Sequence, residues 1–330
     1  MAKKSEWASR SQDERTAKDA DQAELIAVKY GSCNLEAGTF DDRVADAMDD
    51  YDVADPKGTI PQWASEDIKF ESATSDIALE VQRRNSLLNG HYPFLLDRNQ
   101  LMYNRSHTLV YEFCLAVSLA QSLKEGEFAR LPIAFERLVR DTLICYLGNG
   151  AQGYRTGWPA DQLEERPVRF KQVIAKLQEL TGEWHWSPDP GLDDDPSHLI
   201  AKDQGLDIVV WKPLDTRGGK LFLLGQCACG NAYATKFHDL DNQLSSLTKW
   251  VKPISWASPV RVFSTPRHIS NNLEFEQVNK EAGLTIDRAR LTLLAECIDH
   301  QTYITLSAKE PYASLIRLVI PDFQADPQAI

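Results

Sequence analysis

Two polar residues, Asp207 and Gln226, each lie within a strongly apolar stretch of the sequence. Asp207 belongs to the segment Gly205 to Lys212, and Gln226 to the segment Lys220 to Cys227. Segments this apolar are typical of strands in the middle of a sheet that is covered on both faces. A carboxylate or an amide in such a strand is costly unless it is paired, hydrogen-bonded or bound to a metal. We favour a divalent metal as the reason for these two residues.

A β-hairpin would bring the two positions together, because a short turn joins the two predicted strands. Glu136 is the candidate for a third oxygen ligand, since it lies in an apolar helix whose buried side carries Phe135, Val139 and Leu143. Carboxylate and amide oxygens are the ligands that Mg²⁺ and Mn²⁺ prefer. Structural roles are the alternatives: a salt-bridged Asp207, a Gln226 that satisfies edge backbone groups, and a Glu136 on the surface.

The periodicity of the apolar residues predicts the elements that must position these side chains. Helices are predicted from Thr74 to Gly90, Leu109 to Leu123, Pro132 to Leu147, 167 to 181, Asn231 to Trp250, Asn271 to Ala282 and Asp287 to Ile298. A third strand is predicted from Pro259 to Phe263. The order of helix, strand, strand, helix and strand predicts an α/β fold with a mixed central sheet flanked by helices, and a further helical region on the N-terminal side.

The charge distribution suggests three regions. The chain has 330 residues and a formal net charge of -12, and residues 1 to 75 hold 17 acidic and 9 basic side chains. We therefore predict an acidic, partly ordered segment over residues 1–60, a helical region over 61–128 and the α/β domain over 129–330. The cysteines are scattered through apolar surroundings, and no apolar run is long enough to span a membrane. A cytoplasmic protein without a membrane partner is expected.

The arrangement of these residues resembles the restriction-endonuclease-like, or PD-(D/E)xK, nuclease superfamily. The resemblance covers roughly residues 130 to 265 and consists of a helix Glu, a strand Asp, a strand Glu/Gln-x-Lys and a following helix. It implies a restriction-endonuclease-like sheet in which Glu136, Asp207 and Gln226 hold Mg²⁺ or Mn²⁺. The position where the family has its lysine is Ala228 here, and Lys236 is the nearest replacement.

The resemblance implies a metal-dependent nuclease that hydrolyses a phosphodiester bond, with DNA as the expected substrate. Arg261 and Arg267, near the third predicted strand, are candidate phosphate contacts, and ion pairing is the alternative for both. Similar nucleases are effectors of restriction or phage-defence systems, so a protein partner is also expected. The net acidity, Ala228 and Gln226 favour a second hypothesis, a catalytically inactive nuclease-like subunit that binds nucleic acid or a protein. An interaction protein with an unrelated fold is the third.

Overall fold

A mixed five-stranded sheet forms the centre of this protein, whose computed structural model describes residues 2–35, 62–159, 166–192, 205–298 and 311–324. The helices are α1 (Ala2–Tyr30), α2 (Gln62–Leu88), α3 (Val110–Leu119), α4 (Arg130–Leu147), α5 (Phe170–Thr181), α6 (Asp239–Leu247), α7 (Asn272–Ala282), α8 (Arg288–Glu296) and α9 (Tyr312–Val319). The strands are β1 (Ser32–Asn34), β2 (Phe94–Asp97), β3 (Gln100–Tyr103), β4 (Gln152–Arg155), β5 (Ile208–Lys212), β6 (Leu221–Cys227), β7 (Val260–Ser264) and β8 (Leu284–Ile286).

The strand order of the large sheet is β4-β5-β6-β7-β8. The pairs β4–β5 and β5–β6 are antiparallel, whereas the pairs β6–β7 and β7–β8 are parallel. Parallel neighbours need a crossover connection, and α6 and α7 lie in these two connections. As a result, one end of the sheet contains the C-terminal ends of β4, β6, β7 and β8 and the start of β5. We call this end of the sheet the site edge.

The two faces of the sheet carry separate apolar clusters because side chains alternate along each strand. Val210 and Leu223 belong to a large core shared with α3, α4 and α8. Val209 and Leu224, one position along each strand, pack instead with α5 and α6. The predicted α/β fold, with a mixed sheet flanked by helices and a helical N-terminal region, is confirmed at this level.

The N-terminal helix, Ala2–Tyr30, occupies the first half of the segment that the composition predicts to be partly ordered. Helix α1 buries Ala20, Ala23 and Ala27 in the same core as α3 and α4. Alanines spaced three and four residues apart make a narrow apolar stripe, which hydropathy detects poorly. Residues 36–61, the acidic remainder of the predicted segment, lie outside the described residues. Because one core contains side chains from α1, α2 and the sheet, the three predicted regions share it.

A buried ion cluster, consisting of Asp21, Glu24, Arg84 and Arg288, joins α1 and α2 to α8. The Arg288 Nη1 and Nη2 atoms each lie 2.8 Å from a carboxylate oxygen of Asp21. Arg84 Nη1 lies 2.7 Å from both Asp21 Oδ1 and Glu24 Oε1. Arg84, Arg288 and Glu24 are almost completely shielded from solvent. Charges buried this deeply are stable only as a paired set, so the cluster fixes the N-terminal helices on the α/β domain.

The predicted helices and strands agree well with the observed ones apart from their ends, with one exception. The single helix predicted from Asn231 to Trp250 is a 3₁₀ turn, Tyr233–Lys236, followed by the shorter α6, Asp239–Leu247. The hairpin of β5 and β6 and the helix α4 are confirmed. The short strands β1 to β4 and β8 are not predicted as strands from the sequence, and they have three or four residues each. Strands this short carry little periodic signal. None of the described helices is both long enough and apolar enough to cross a membrane.

Candidate functional site

The site edge brings the backbone of β4 next to Asp207. The Thr156 and Gly157 N–H groups donate to the Asp207 carbonyl oxygen at 2.8 and 2.9 Å. On its other side, Asp207 N–H donates to the Gly225 carbonyl oxygen at 3.0 Å. Asp207 is therefore held between β4 and β6, immediately before β5 begins.

Glu136 lies in α4 with its carboxylate against the same edge. Its side chain is buried, which excludes the alternative of a surface residue. Oε2 lies 2.6 Å from Nε of Arg155, a completely buried arginine at the end of β4. A Cβ atom placed on Gly157 would lie 2.3 Å from Glu136 Oε2. The carboxylate thus packs directly on the glycine whose amide contacts Asp207.

Both carboxylates influence Cys227, the last residue of β6, and Cys229, which lies two residues beyond it. Asp207 Oδ2 accepts a hydrogen bond from the Cys227 N–H at 2.6 Å. Burial, and then the charges of Asp207 and Glu136, raise the pKa of the Cys227 thiol well above its ordinary value. Burial and the same two carboxylates also raise the pKa of Cys229. Glu136 and Asp207, far apart in sequence, therefore both lie close to these two cysteines, and the raised pKa keeps the two thiols protonated.

Gln226 lies beside Asp207 on the hairpin, but its side chain points to the α6 face of the sheet. Its Nε2 lies 3.3 Å from Oδ2 of Asp239, the first residue of α6. Side-chain alternation explains this direction, since Leu224 also faces α6 whereas Cys227 belongs to the α4 side. The buried Oε1 atom of Gln226 has no hydrogen-bond partner among the described residues. The structure thus connects Glu136 to Asp207 through Gly157, while Gln226 lies opposite Asp207 on the hairpin and is turned away from Glu136.

Lys236 lies on an exposed turn beyond the end of β6. The turn is a short 3₁₀ helix, Tyr233–Lys236. The charge of Lys236 acts on the Cys229 thiol and opposes the rise in its pKa, which is dominated by burial. Ala228, where the resemblance would have a lysine, is completely buried against Phe263 and its neighbours. A lysine would not fit there without rearrangement, so a cation near this point must come from elsewhere in the chain. Lys236 and Arg267 both act on the neighbouring Cys229.

The two candidate phosphate contacts have different surroundings. The Arg261 guanidinium pairs with Asp241 and donates to the Glu281 carbonyl oxygen. Arg267 donates from Nη2 to the Ser118 carbonyl oxygen at 3.0 Å and to Oδ1 of Asn231. The ion-pair alternative therefore describes Arg261, whereas the hydrogen-bond acceptors of Arg267 are neutral.

The fit of these residues to a divalent metal is mixed. Within the part of the chain that the structure describes, no group of three or more His, Cys, Asp or Glu side chains is arranged to hold a metal. The unsatisfied Oε1 of Gln226 is an oxygen that a hard cation would satisfy, and the partly exposed Asp207 lies next to it. Glu136 is compensated by Arg155 and would have to exchange that partner for the metal.

Three residues that contact the predicted ligands were not expected from the sequence: Arg155, Gly157 and Asp239. A buried carboxylate requires a cation, so a partner for Glu136 could have been sought. Several arginines were available, however, and only the pairing of β4 with β5 selects Arg155.

We expect Gly157→Ala to disturb the site, because the added Cβ would force the Glu136 carboxylate away from its present position. Overpacking of this kind costs about 1–3 kcal/mol, and the free energy of unfolding can be measured with urea. Gly230→Ala is the matched control, since a Cβ on Gly230 meets no atom within 4 Å. Equal stability of the two variants would contradict the close contact between Gly157 and Glu136.

Comparison of the chain with protein-family models, with curated proteins and with solved structures finds no match.

Proposed function

We propose that this protein is a metal-dependent nuclease of the restriction-endonuclease-like type, with DNA as its expected substrate. The observation that carries the proposal is the position of Glu136 and Asp207 beside the end of β6: the Glu136 carboxylate packs on Gly157, whose N–H donates to the Asp207 carbonyl oxygen, and Asp207 Oδ2 accepts from the Cys227 N–H. The order of elements adds support. The helix with Glu136 precedes three antiparallel strands, and a helix then leads to a parallel strand. That order agrees with the resemblance drawn from the sequence.

In this proposal Asp207 and Gln226 would hold Mg²⁺ or Mn²⁺ through one oxygen each. Glu136 lies on the α4 side of the sheet, so it would have to leave Arg155 and turn past the end of β6 to reach the same ion. The bound metal would activate water and neutralise charge on the scissile phosphate. Lys236 would place its positive charge near the phosphate, where an ammonium stabilises the developing negative charge. Gln226 Nε2, held by Asp239, orients the amide so that Oε1 remains an acceptor.

The test is an Asp207→Asn variant in a nuclease assay with Mg²⁺ or Mn²⁺. Asparagine keeps the size of the side chain and can still accept from the Cys227 N–H. It removes the charge that would hold the metal, so we expect cleavage to fall at least about a hundredfold. Asp215→Asn is the matched control, because Asp215 is an acidic residue in the turn at the opposite end of the same hairpin.

Cleavage at the wild-type rate by purified Asp207→Asn protein would reject the assignment. Loss of cleavage in both variants would point to a general effect on the hairpin instead of a role for Asp207. Circular dichroism of each variant establishes that the fold is retained.

A second candidate is a nuclease-like subunit without activity that binds nucleic acid or a protein partner. The ion pair between Glu136 and Arg155 favours it, because both side chains are buried and their charges already compensate each other. Ala228 in the lysine position favours it as well. Calorimetric titration with Mn²⁺ separates the two candidates: the nuclease binds the ion and loses this binding in Asp207→Asn, whereas the inactive subunit shows no Asp207-dependent binding.

The biological setting belongs to the same proposal. A cytoplasmic effector of a restriction or phage-defence system, working with a protein partner, would suit either a nuclease or an inactive nuclease-like subunit.

A further inference from the structure

Three polar residues lie in the loops that follow β6 and β7 on the site edge. Asn231 and Lys236 follow β6, and Arg267 follows β7. The two loops run side by side, because Ala228 N–H donates to the Ser264 carbonyl oxygen at 2.8 Å beyond the last strand pair. Arg267 then reaches across to Asn231 Oδ1. Crevices outside the carboxyl ends of parallel strands are frequent ligand sites in α/β proteins.

Arg267 has no carboxylate within hydrogen-bonding distance in the described part of the chain. Its acceptors are one backbone carbonyl and one amide oxygen, and its buried Nε has no partner. Burial lowers the pKa of this guanidinium, and the charge of Arg288 adds to this against the attraction of the Asp21 carboxylate. The charge of Arg267 is therefore poorly solvated where it lies. A half-buried cation without a hydrogen-bonded counter-ion would be stabilised by an anion from outside.

Lys236 and Asn231 extend this cationic region. The exposed Lys236 forms no ion pair with any residue that the structure describes, and both its charge and that of Arg267 act on Cys229. Asn231 Oδ1 accepts from Arg267, so its amide N–H groups are directed away from the guanidinium and can donate. The carboxylates Glu136 and Asp207 lie on the β4 to β6 half of the edge, and these donors on the half toward β7.

We propose that Arg267, Asn231 and Lys236 form a phosphate subsite that holds the backbone of the nucleic acid beside the carboxylate site. The proposal rests on the nucleic-acid substrate suggested above and deepens it, because it separates a binding half of the edge from the half that carries the carboxylates. Guanidinium, ammonium and amide donors are the usual contacts to phosphate oxygens.

The loop that carries Arg267 is held firmly by the helical part of the protein. Arg288 Nε and Ser118 Oγ donate to the Pro266 carbonyl oxygen at 3.0 and 2.9 Å. The Arg288 N–H donates to the carbonyl oxygen of Arg267 itself at 3.0 Å. A donor fixed in advance loses less conformational freedom on binding, so the buried ion cluster, through Arg288, orients the subsite.

The experiment measures binding of a short fluorescein-labelled DNA duplex in EDTA over a series of KCl concentrations. We expect Arg267→Gln and Lys236→Gln each to weaken binding about tenfold at low salt. Each should also lower the slope of log affinity against log salt by about one. Arg217→Gln is the matched control, because Arg217 lies in the exposed turn at the opposite end of the β5–β6 hairpin and is expected to bind as the wild type.

Wild-type affinity and salt slope in a folded Arg267→Gln or Lys236→Gln protein would overturn the subsite, as would a wild-type protein that does not bind the duplex. Should Arg267→Gln fail to fold, the exposed Lys236 decides the question. EDTA removes the metal, so the result does not depend on cleavage. If Asp207 proves unimportant for hydrolysis while both substitutions weaken binding, the nuclease proposal fails and the subsite stands.

Discussion

Replacement of Arg288 by methionine is expected to lower the free energy of unfolding by about 3–5 kcal/mol. Arg288, the first residue of α8, makes two hydrogen bonds to Asp21 of α1 and is completely buried against α1 and α3. Methionine fills part of the volume but leaves Asp21 and Glu24 with Arg84 as their remaining guanidinium partner within the cluster. A buried carboxylate that loses a partner keeps its desolvation cost, which is the source of the large effect.

Urea denaturation followed by circular dichroism measures this change. Arg290→Met is the matched control on the same helix, since Arg290 is partly exposed and donates to a backbone carbonyl rather than to a buried carboxylate. A double variant with Asp21→Asn and Arg288→Met should lose less than the sum of the two single losses, because the charge and its partner leave together. Strictly additive losses would contradict a direct interaction between these residues.

The same cluster makes stability depend on acid. Burial opposes ionisation of Asp21, but the charges of Arg288 and Arg84 outweigh it and hold the pKa of Asp21 well below its ordinary value. A carboxyl with a depressed folded-state pKa stabilises the protein above its unfolded pKa of about 4 and loses this contribution as the pH falls below that value. We expect the Arg288→Met variant to show a smaller loss on acidification, measured by urea denaturation over the acidic range.

Glu136→Gln is expected to lower the free energy of unfolding by about 3–5 kcal/mol in the absence of metal. The substitution keeps the shape of the side chain but removes the charge that compensates Arg155, which is completely shielded from solvent. Glu127→Gln is the matched control: Glu127 pairs with Arg130 at 2.6 Å on the surface, and exposed pairs contribute about 0–1 kcal/mol.

The outcome for Glu136 also bears on function. A large loss of stability would show that the Glu136 carboxylate neutralises Arg155 in the metal-free protein. Metal binding would then have to compete with this ion pair. Unchanged stability would contradict the buried pair and leave the carboxylate available for a cation. Addition of Mn²⁺ should stabilise the wild type more than the variant if Glu136 is a ligand.

Several features of the fold were accessible from the sequence for identifiable reasons. The hairpin of β5 and β6 is two long apolar runs around a turn, and α4 combines an apolar stripe with a proline near its start and a glycine after its end. These signals are local, and tertiary contacts reinforce them. The burial of α1 was hidden by its alanine-rich stripe, and β4 by its four-residue length.

The candidate site was accessible only in part. Asp207 and Gln226 stood out because polar side chains in apolar strands are unusual, and Glu136 because it accompanied an apolar face. Their partners could not be found in this way. Arg155 and Asp239 reach Glu136 and Gln226 through strand pairing and helix packing, which bring distant parts of the chain together.

The sequence by itself determined the α/β pattern, the apolar hairpin and the identity of the polar residues near its end, because local periodicity records which side of an element is buried. The tertiary structure alone decided which of those residues meet. Strand register turns Gln226 toward α6 while Glu136 lies on the α4 side, and the packing of α1 and α2 on α8 buries charges that composition assigns to the surface. Both outcomes depend on long-range pairing, in which a shift of one residue reverses the direction of a side chain.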